Sequence, residues 1–190
     1  IMDHPSPPKT KTPAAWILLA IALSFLASFL LLRSQLQRRP TGEPGRRRTA
    51  DYNWKLVDLD GRPVEFSRYA GKPVFLNIWA TWCGPCRREM PSIARLAVNP
   101  KLKDVAFLCV AIDEDKEEVR QYVRDRDLPM TFLLPAGPIP RVFLTDGIPA
   151  TFLIAPDGRI VREEVGAAEW DDPEVIALLA RLAQSAAGGS

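Results

Sequence analysis

Two thiols three residues apart, Cys83 and Cys86, enclose Gly84-Pro85 and are the residues of this chain best suited to chemistry. At that spacing they can close a small disulfide ring and reopen it. The short apolar, strand-forming run Lys72-Pro73-Val74-Phe75-Leu76-Asn77-Ile78 precedes them, and a segment of helical character follows. A sulfur at a helix N-terminus faces unpaired N–H groups and the positive end of the helix dipole, which together favour the thiolate. Cys83 is therefore the candidate nucleophile and Cys86 the resolving thiol.

Half of a zinc site and a static bridge are the competing readings of such a pair. A structural zinc site needs four Cys or His ligands, whereas the chain offers only Cys109 and His4 besides these two. No metal and no cofactor are expected. Glu89 lies one helical turn beyond Cys86 on nearly the same face, where its carboxylate could accept the Cys86 proton directly or through water. Partial burial would raise its proton affinity and suit it to that task. The alternative is a solvated helix residue paired with Arg87 or Arg88.

Trp82-Cys83-Gly84-Pro85-Cys86 resembles the active site of the thioredoxin superfamily. Cys86-Arg87-Arg88-Glu89-Met90-Pro91 resembles its membrane-anchored TlpA/ResA branch, and the similarity runs from about Asn53 to about Leu182. The resemblance implies a thioredoxin-like α/β fold, a central mixed sheet flanked by helices, with Trp82, Gly84 and Pro85 supporting the two cysteines. Asn77 stands where thioredoxin has a buried aspartate, and it cannot exchange a proton at physiological pH. The TlpA/ResA branch instead resembles this chain in carrying a carboxylate at the position of Glu89. Ile148-Pro149-Ala150-Thr151-Phe152 is similar to the cis-proline loop of the superfamily, which implies that Ile148 and Pro149 receive an extended substrate segment beside Cys83.

The expected elements follow from periodicity and punctuation. Trp54–Asp58 and Arg62–Phe66 flank the turn signature Leu59-Asp60-Gly61 and predict an N-terminal β-hairpin. A helix from Gly84 to about Val98 supplies a right-handed crossover to the eight-residue apolar run Val105–Ile112, which fits a strand covered on both faces. Cys109 lies inside that run and reads as a small buried hydrophobe. A second helix is expected over Asp113–Asp127, a short strand over Thr131–Leu134, and a strand, turn and antiparallel return from Gly147 to Val165. Asp172-Pro173-Glu174 places an N-cap, a first-turn proline and a first-turn acid before a closing amphipathic helix.

The remaining segments set the domain organisation. Residues 1–13 read as a disordered tail. Residues 14–32 form an uncharged run of nineteen residues, roughly 28 Å as a helix, and are expected to anchor the chain in a lipid bilayer. A cleaved signal peptide is the competitor, but no small-x-small site follows Leu32 before the arginines. Residues 33–51 read as a linker, 52–184 as the thioredoxin-like domain and 185–190 as a disordered end. The positive charges from Arg33 to Arg48 outnumber Lys9 and Lys11, so charge alone would keep the domain in the cytoplasm. The family resemblance implies the opposite, a domain on the outer face of the bacterial inner membrane.

With a net charge of +2, nothing points to a nucleic-acid partner. Gly-Pro between the cysteines resembles thioredoxin, at about −270 mV, and so implies a reductase of protein disulfides fed by a membrane thiol donor. Apocytochrome c is a substrate candidate implied by the family. Two other classes compete. A redox-inert binding or metal-carrier module would use an extra histidine near Pro149 that this chain lacks. A thiol peroxidase would need a differently embedded cysteine.

Overall fold

The computed structural model describes residues 48–187, together with Ile21, Leu23, Ser24 and Ser28, which are helical. The expected tail, nearly all of the anchor over 14–32, the linker as far as Arg47, and residues 188–190 lie outside the described residues. Among the described residues no helix is long and apolar enough to cross a membrane.

Seven strands form one sheet: β1 (Lys55–Asp58), β2 (Pro63–Glu65), β3 (Val74–Trp79), β4 (Ala106–Ala111), β5 (Thr131–Pro135), β6 (Ala150–Ile154) and β7 (Ile160–Val165). Their order is β2-β1-β5-β4-β3-β6-β7. The β3–β4 and β4–β5 pairs are parallel, and the remaining pairs are antiparallel. Between β1 and β2 the Asp58 carboxylate accepts from the N–H groups of Asp60 and Arg62 at 2.9 and 2.8 Å, and Gly61 takes φ +85° to close the turn. Within residues 48–187 three α-helices accompany the sheet: α1 (Gly84–Ala97), α2 (Lys116–Arg124) and α3 (Pro173–Ala187).

All six residues of β3 are buried, as a central strand covered on both faces requires. Successive side chains alternate between the faces. Val74, Leu76 and Ile78 join Trp54, Phe66, Phe143 and Phe152 in a layer without α-helices, where Phe143 lies 5.6 Å from Trp54 and 5.2 Å from Phe152. Phe75 and Trp79 join Met90, Ile93 and Leu96 of α1, Val119 and Tyr122 of α2, and Val175 and Leu179 of α3. Helices α1, α2 and α3 therefore cover the face toward which Asn77 points.

Several boundaries differ from the sequence reading. Helix α2 is shorter than the expected Asp113–Asp127 because Asp115 caps it, accepting from Glu117 N at 2.8 Å. Strand β5 runs one residue further, to Pro135, paired with Leu56. Residues Arg48–Asp51, assigned to the linker, join the domain: Ile160 N donates to Arg48 O at 2.9 Å, Ala50 N donates to Gly158 O at 2.8 Å, and Ala50 is buried. Helix α3 continues past Gln184 through Ala187, where disorder was expected, and the Ser185 hydroxyl donates to Leu182 O.

Gly158 takes φ +84°, and a Cβ there would stand 3.2 Å from Thr49 Cγ2 and 3.4 Å from the Tyr52 ring. Gly61, at φ +85°, faces open space. Gly61→Ala is expected to cost only its backbone strain, roughly 1–2 kcal/mol. Gly158→Ala should cost about 1 kcal/mol more through crowding. Urea unfolding of the two variants checks this, and equal losses would contradict the close approach of Thr49.

Candidate active site

Cys83 occupies the N-cap position of α1, with extended backbone, and its Sγ accepts from Cys86 N at 3.2 Å. The two cysteines are joined as a disulfide, with Cα atoms 5.3 Å apart. Pro85 falls in the first helical turn, where a missing N–H removes no intrahelical bond. Cys86 is fully buried, whereas Cys83 retains 6% exposure, so an incoming sulfur meets Cys83 first. Trp82 beside it is 66% exposed and borders an open groove of about 540 Å³ that continues to Arg87, Gln121 and Arg126.

The loop ahead of the cysteines is tied to the end of β4. The Asp113 carboxylate accepts from Thr81 N at 3.0 and 3.1 Å and also from the Thr81 hydroxyl. This tie explains why Asp113 is not part of α2. Across the site the Ile148–Pro149 bond is cis, and the Ile148 carbonyl oxygen lies 3.8 Å from Cys83 Sγ. The fold thus brings Ile148 and Pro149 to Cys83, although 65 residues separate Ile148 from it in sequence.

Beneath α1 three strands contribute one polar row. Asn77 of β3 is in register with Cys109 of β4 on one side and Thr151 of β6 on the other. Glu89 descends onto this row and is only 1% exposed, so the alternative of a solvated residue paired with Arg87 or Arg88 does not hold. Its Oε1 accepts from Asn77 Nδ2 at 2.8 Å. Its Oε2 accepts from Trp170 Nε1 at 2.9 Å and from Ala168 N at 3.2 Å. Hydrogen bonds to charged groups contribute roughly 1.5–3 kcal/mol each, and so offset part of the cost of burying the carboxylate.

Burial nevertheless dominates and raises the Glu89 pKa above the ordinary carboxylate value, while the bonds from Trp170, Ala168 and Asn77 pull it down. Burial also pushes the Cys109 thiol far above the usual thiol range, with the Glu89 charge adding to the effect. Cys109 is thereby kept protonated and unreactive, in keeping with a packing role.

Trp170, Ala168, Thr151 and Asp113 were not singled out as site residues in the sequence. Trp170 and Ala168 lie in the segment after β7, 81 and 79 residues from the carboxylate they contact, so no local pattern could mark them. The isolated tryptophan just ahead of the α3 cap was the one available signal. The segment is held in place by Trp170 N donating to Ser92 Oγ at 3.1 Å and by edge-to-face packing of Trp170 on Phe75 at 5.1 Å.

A helix-capping sulfur paired with a buried partner, facing a cis-proline loop on a mixed sheet, defines a thioredoxin-like thiol-disulfide oxidoreductase. The redoxin family model matches residues 41–179. The thiol-disulfide oxidoreductase ResA of Bacillus cereus (strain ATCC 10987 / NRS 248) is 30% identical over 151 residues, covering 79% of this chain and 86% of that protein. ResA of Bacillus thuringiensis subsp. konkukian is 35% identical over 115 residues, covering 60% of this chain and 66% of that protein. A crystal structure of a thiol:disulfide interchange protein of the thioredoxin family from Chlorobium tepidum TLS superposes with a TM-score of 0.59 at 25% identity, covering 76% of this chain and 99% of that one. A secreted Mycobacterium tuberculosis disulfide oxidoreductase, described as homologous to E. coli DsbE, gives 0.59 at 26% identity, over 68% of this chain and 99% of that one. The chain belongs to the redoxin family, in its TlpA/ResA branch.

The raised Glu89 pKa fixes a sign for stability. Between its ordinary and folded pKa values the folded state holds more protons than the unfolded chain, so stability falls as pH rises through that window. Relative to Glu89→Gln, which does not titrate, the wild-type urea midpoint should therefore decline from about pH 4 upward and level off above the folded value. A wild-type midpoint that climbs relative to the variant over that range would contradict the desolvation account.

Proposed function

We propose that this protein reduces disulfides of other proteins on the outer face of the bacterial inner membrane. The observation that supports this most is the inequality of the two sulfurs: Cys83 caps α1 and keeps a small exposure beside Ile148, while Cys86 is fully buried. In the reduced enzyme the Cys83 thiolate attacks a substrate disulfide, breaking its S–S bond and forming a mixed disulfide. Cys86 then attacks Cys83, which restores the disulfide seen here and releases the substrate as a dithiol.

Glu89 is the proton acceptor for Cys86 in the second step. It lies three residues beyond that cysteine on α1, is buried, and has its proton affinity raised by that burial. Ile148 and Pro149 receive the substrate segment in extended form against the Cys83 sulfur, with Trp82, Gly84 and Pro85 shaping the entrance. Electrons come from a membrane thiol donor, and residues 14–32 anchor the chain in the bilayer. Apocytochrome c before haem attachment is a candidate substrate, in keeping with the family resemblance.

The direction of transfer depends on potential. A pair near the thioredoxin value of about −270 mV lies roughly 150 mV below the strong oxidants, about 7 kcal/mol for two electrons. The full chain is expected to reduce insulin with a dithiol donor, and Cys83→Ser to lose that activity entirely. Cys86→Ser should accumulate mixed disulfides whose captured proteins identify the substrates. A measured potential above about −180 mV would contradict a reductase. For topology, a reporter active only outside the cytoplasm, fused after Ser190, is expected to be active; its silence alongside an active cytoplasmic reporter would overturn the placement.

A further inference from the structure

Two of the three groups holding Glu89 can only donate. The Trp170 Nε1–H and the Ala168 N–H both point at Oε2, and neither carries a lone pair able to receive a proton. The third, Asn77, has a donor and an acceptor on one amide. In the structure Nδ2 serves both Glu89 Oε1 at 2.8 Å and Thr151 Oγ1 at 2.9 Å, while the buried Oδ1 has no partner. That orientation fits an ionised carboxylate, which accepts only. A protonated Glu89 has an O–H to place, and among these groups only the amide oxygen of Asn77 can take it.

We propose that Asn77 is a positioning residue for the Glu89 proton: its amide turns over about χ2 when Glu89 is protonated, so that Oδ1 accepts the Glu89 O–H and the Thr151 hydroxyl. The inference rests on reading Glu89 as the acceptor of the Cys86 proton. In that step the Cys86 S–H bond breaks and its proton passes to Glu89 as an O–H bond. The Cys86 thiolate forms the bond to Cys83, and the substrate sulfur leaves as a thiolate with the electron pair. The proton on Glu89 is then returned through solvent. The Asn77 amide supports the carboxyl group on both sides of this transfer.

The shape of the side chain permits the motion. The torsion about χ2 of asparagine is broad and two-fold, and its O and NH2 ends are close in size, so turning the amide needs no repacking of a dense core. Each orientation leaves one amide atom unpaired, Oδ1 opposite the anion and Nδ2 opposite the acid. The penalty is therefore similar in both protonation states and largely cancels between them. A residue that only donates would favour the anion alone and oppose proton uptake. The titratable and charged groups nearest this cluster are the Cys109 thiol of β4, in register with Asn77, and the Arg162 guanidinium of β7, 5.4 Å from the Trp170 ring, while Cys86 of α1 is held in the disulfide and does not titrate in this form.

The test is a pH titration by NMR of the full chain in detergent micelles, in its disulfide form, with the Glu89 carboxyl carbon and the Asn77 side-chain amide labelled. The two signals are expected to move with one midpoint, and the Asn77 NH2 protons to exchange their contacts with Thr151 through it. In Glu89→Gln the Asn77 signal should stay still. Asn77→Leu, shown folded by circular dichroism, should slow substrate release from a mixed disulfide by roughly tenfold or more. A titrating Glu89 beside an unmoving Asn77 would overturn the inference while leaving the role of Glu89 intact. A Glu89 carboxyl that does not titrate between about pH 4 and 9 would overturn both. Because the titration uses the unaltered protein, failure of the leucine variant to fold would not shield the proposal.

Discussion

One ionisable carboxyl group buried between a helix and a sheet is the constraint on which the site depends. The Glu89 side chain is buried, and its carboxylate lone pairs are met by N–H groups from β3 and from the segment after β7. Without those donors an ionised carboxylate there would be prohibitively costly, and the group would simply remain neutral. With them it stays able to ionise, at a raised proton affinity. Helix α1 carries both this carboxylate and the two sulfurs, so the contacts that hold Glu89 over Asn77 also fix where Cys83 and Cys86 stand.

The three thiols of the domain show how position alone separates roles. Cys83, Cys86 and Cys109 all pack in the layer beneath the helices. Cys83 ends the β3–α1 loop and receives an amide N–H at the helix N-terminus, where negative charge on sulfur is welcome. Cys86 is sealed but sits one turn from Glu89. Cys109 lies mid-strand, fully buried, with a carboxylate near enough to oppose its ionisation. In the proposed reaction, chemically identical groups become nucleophile, resolving thiol and filler.

Much of this was legible in the sequence because its signals are local. The Cys-x-x-Cys pair after an apolar run specified a strand, a tight loop and a helix start, and these are β3, the Ala80–Trp82 loop and α1. The unbroken run around Cys109 specified a strand buried on both faces, and the Asp172-Pro173 cap specified the start of α3. The environment of Glu89 was not legible in the same way. Its spacing from Cys86 marked it, but the surroundings that decide its protonation come from residues 12, 79 and 81 positions away. Asn77 was read as a residue unable to exchange a proton, which is true and incomplete, because its contact with Glu89 exists only once α1 folds back onto β3. Likewise, Asp113 looked like part of an acidic helix start until the Thr81 loop claimed its carboxylate. The charge run before Thr49 concealed a short segment that pairs with β7, a contact no periodicity could announce in so few residues.

The central claim, that a buried carboxylate beneath the cysteines governs release of substrate, is tested most directly by the decay of a preformed mixed disulfide on Cys83 in a single turnover. Measured across pH for the wild type and Glu89→Gln, the wild-type rate should show an inflection from Glu89. The variant should lose that inflection and fall by about a hundredfold, the lower range for general acid–base catalysis. Two superimposable rate profiles would contradict the account.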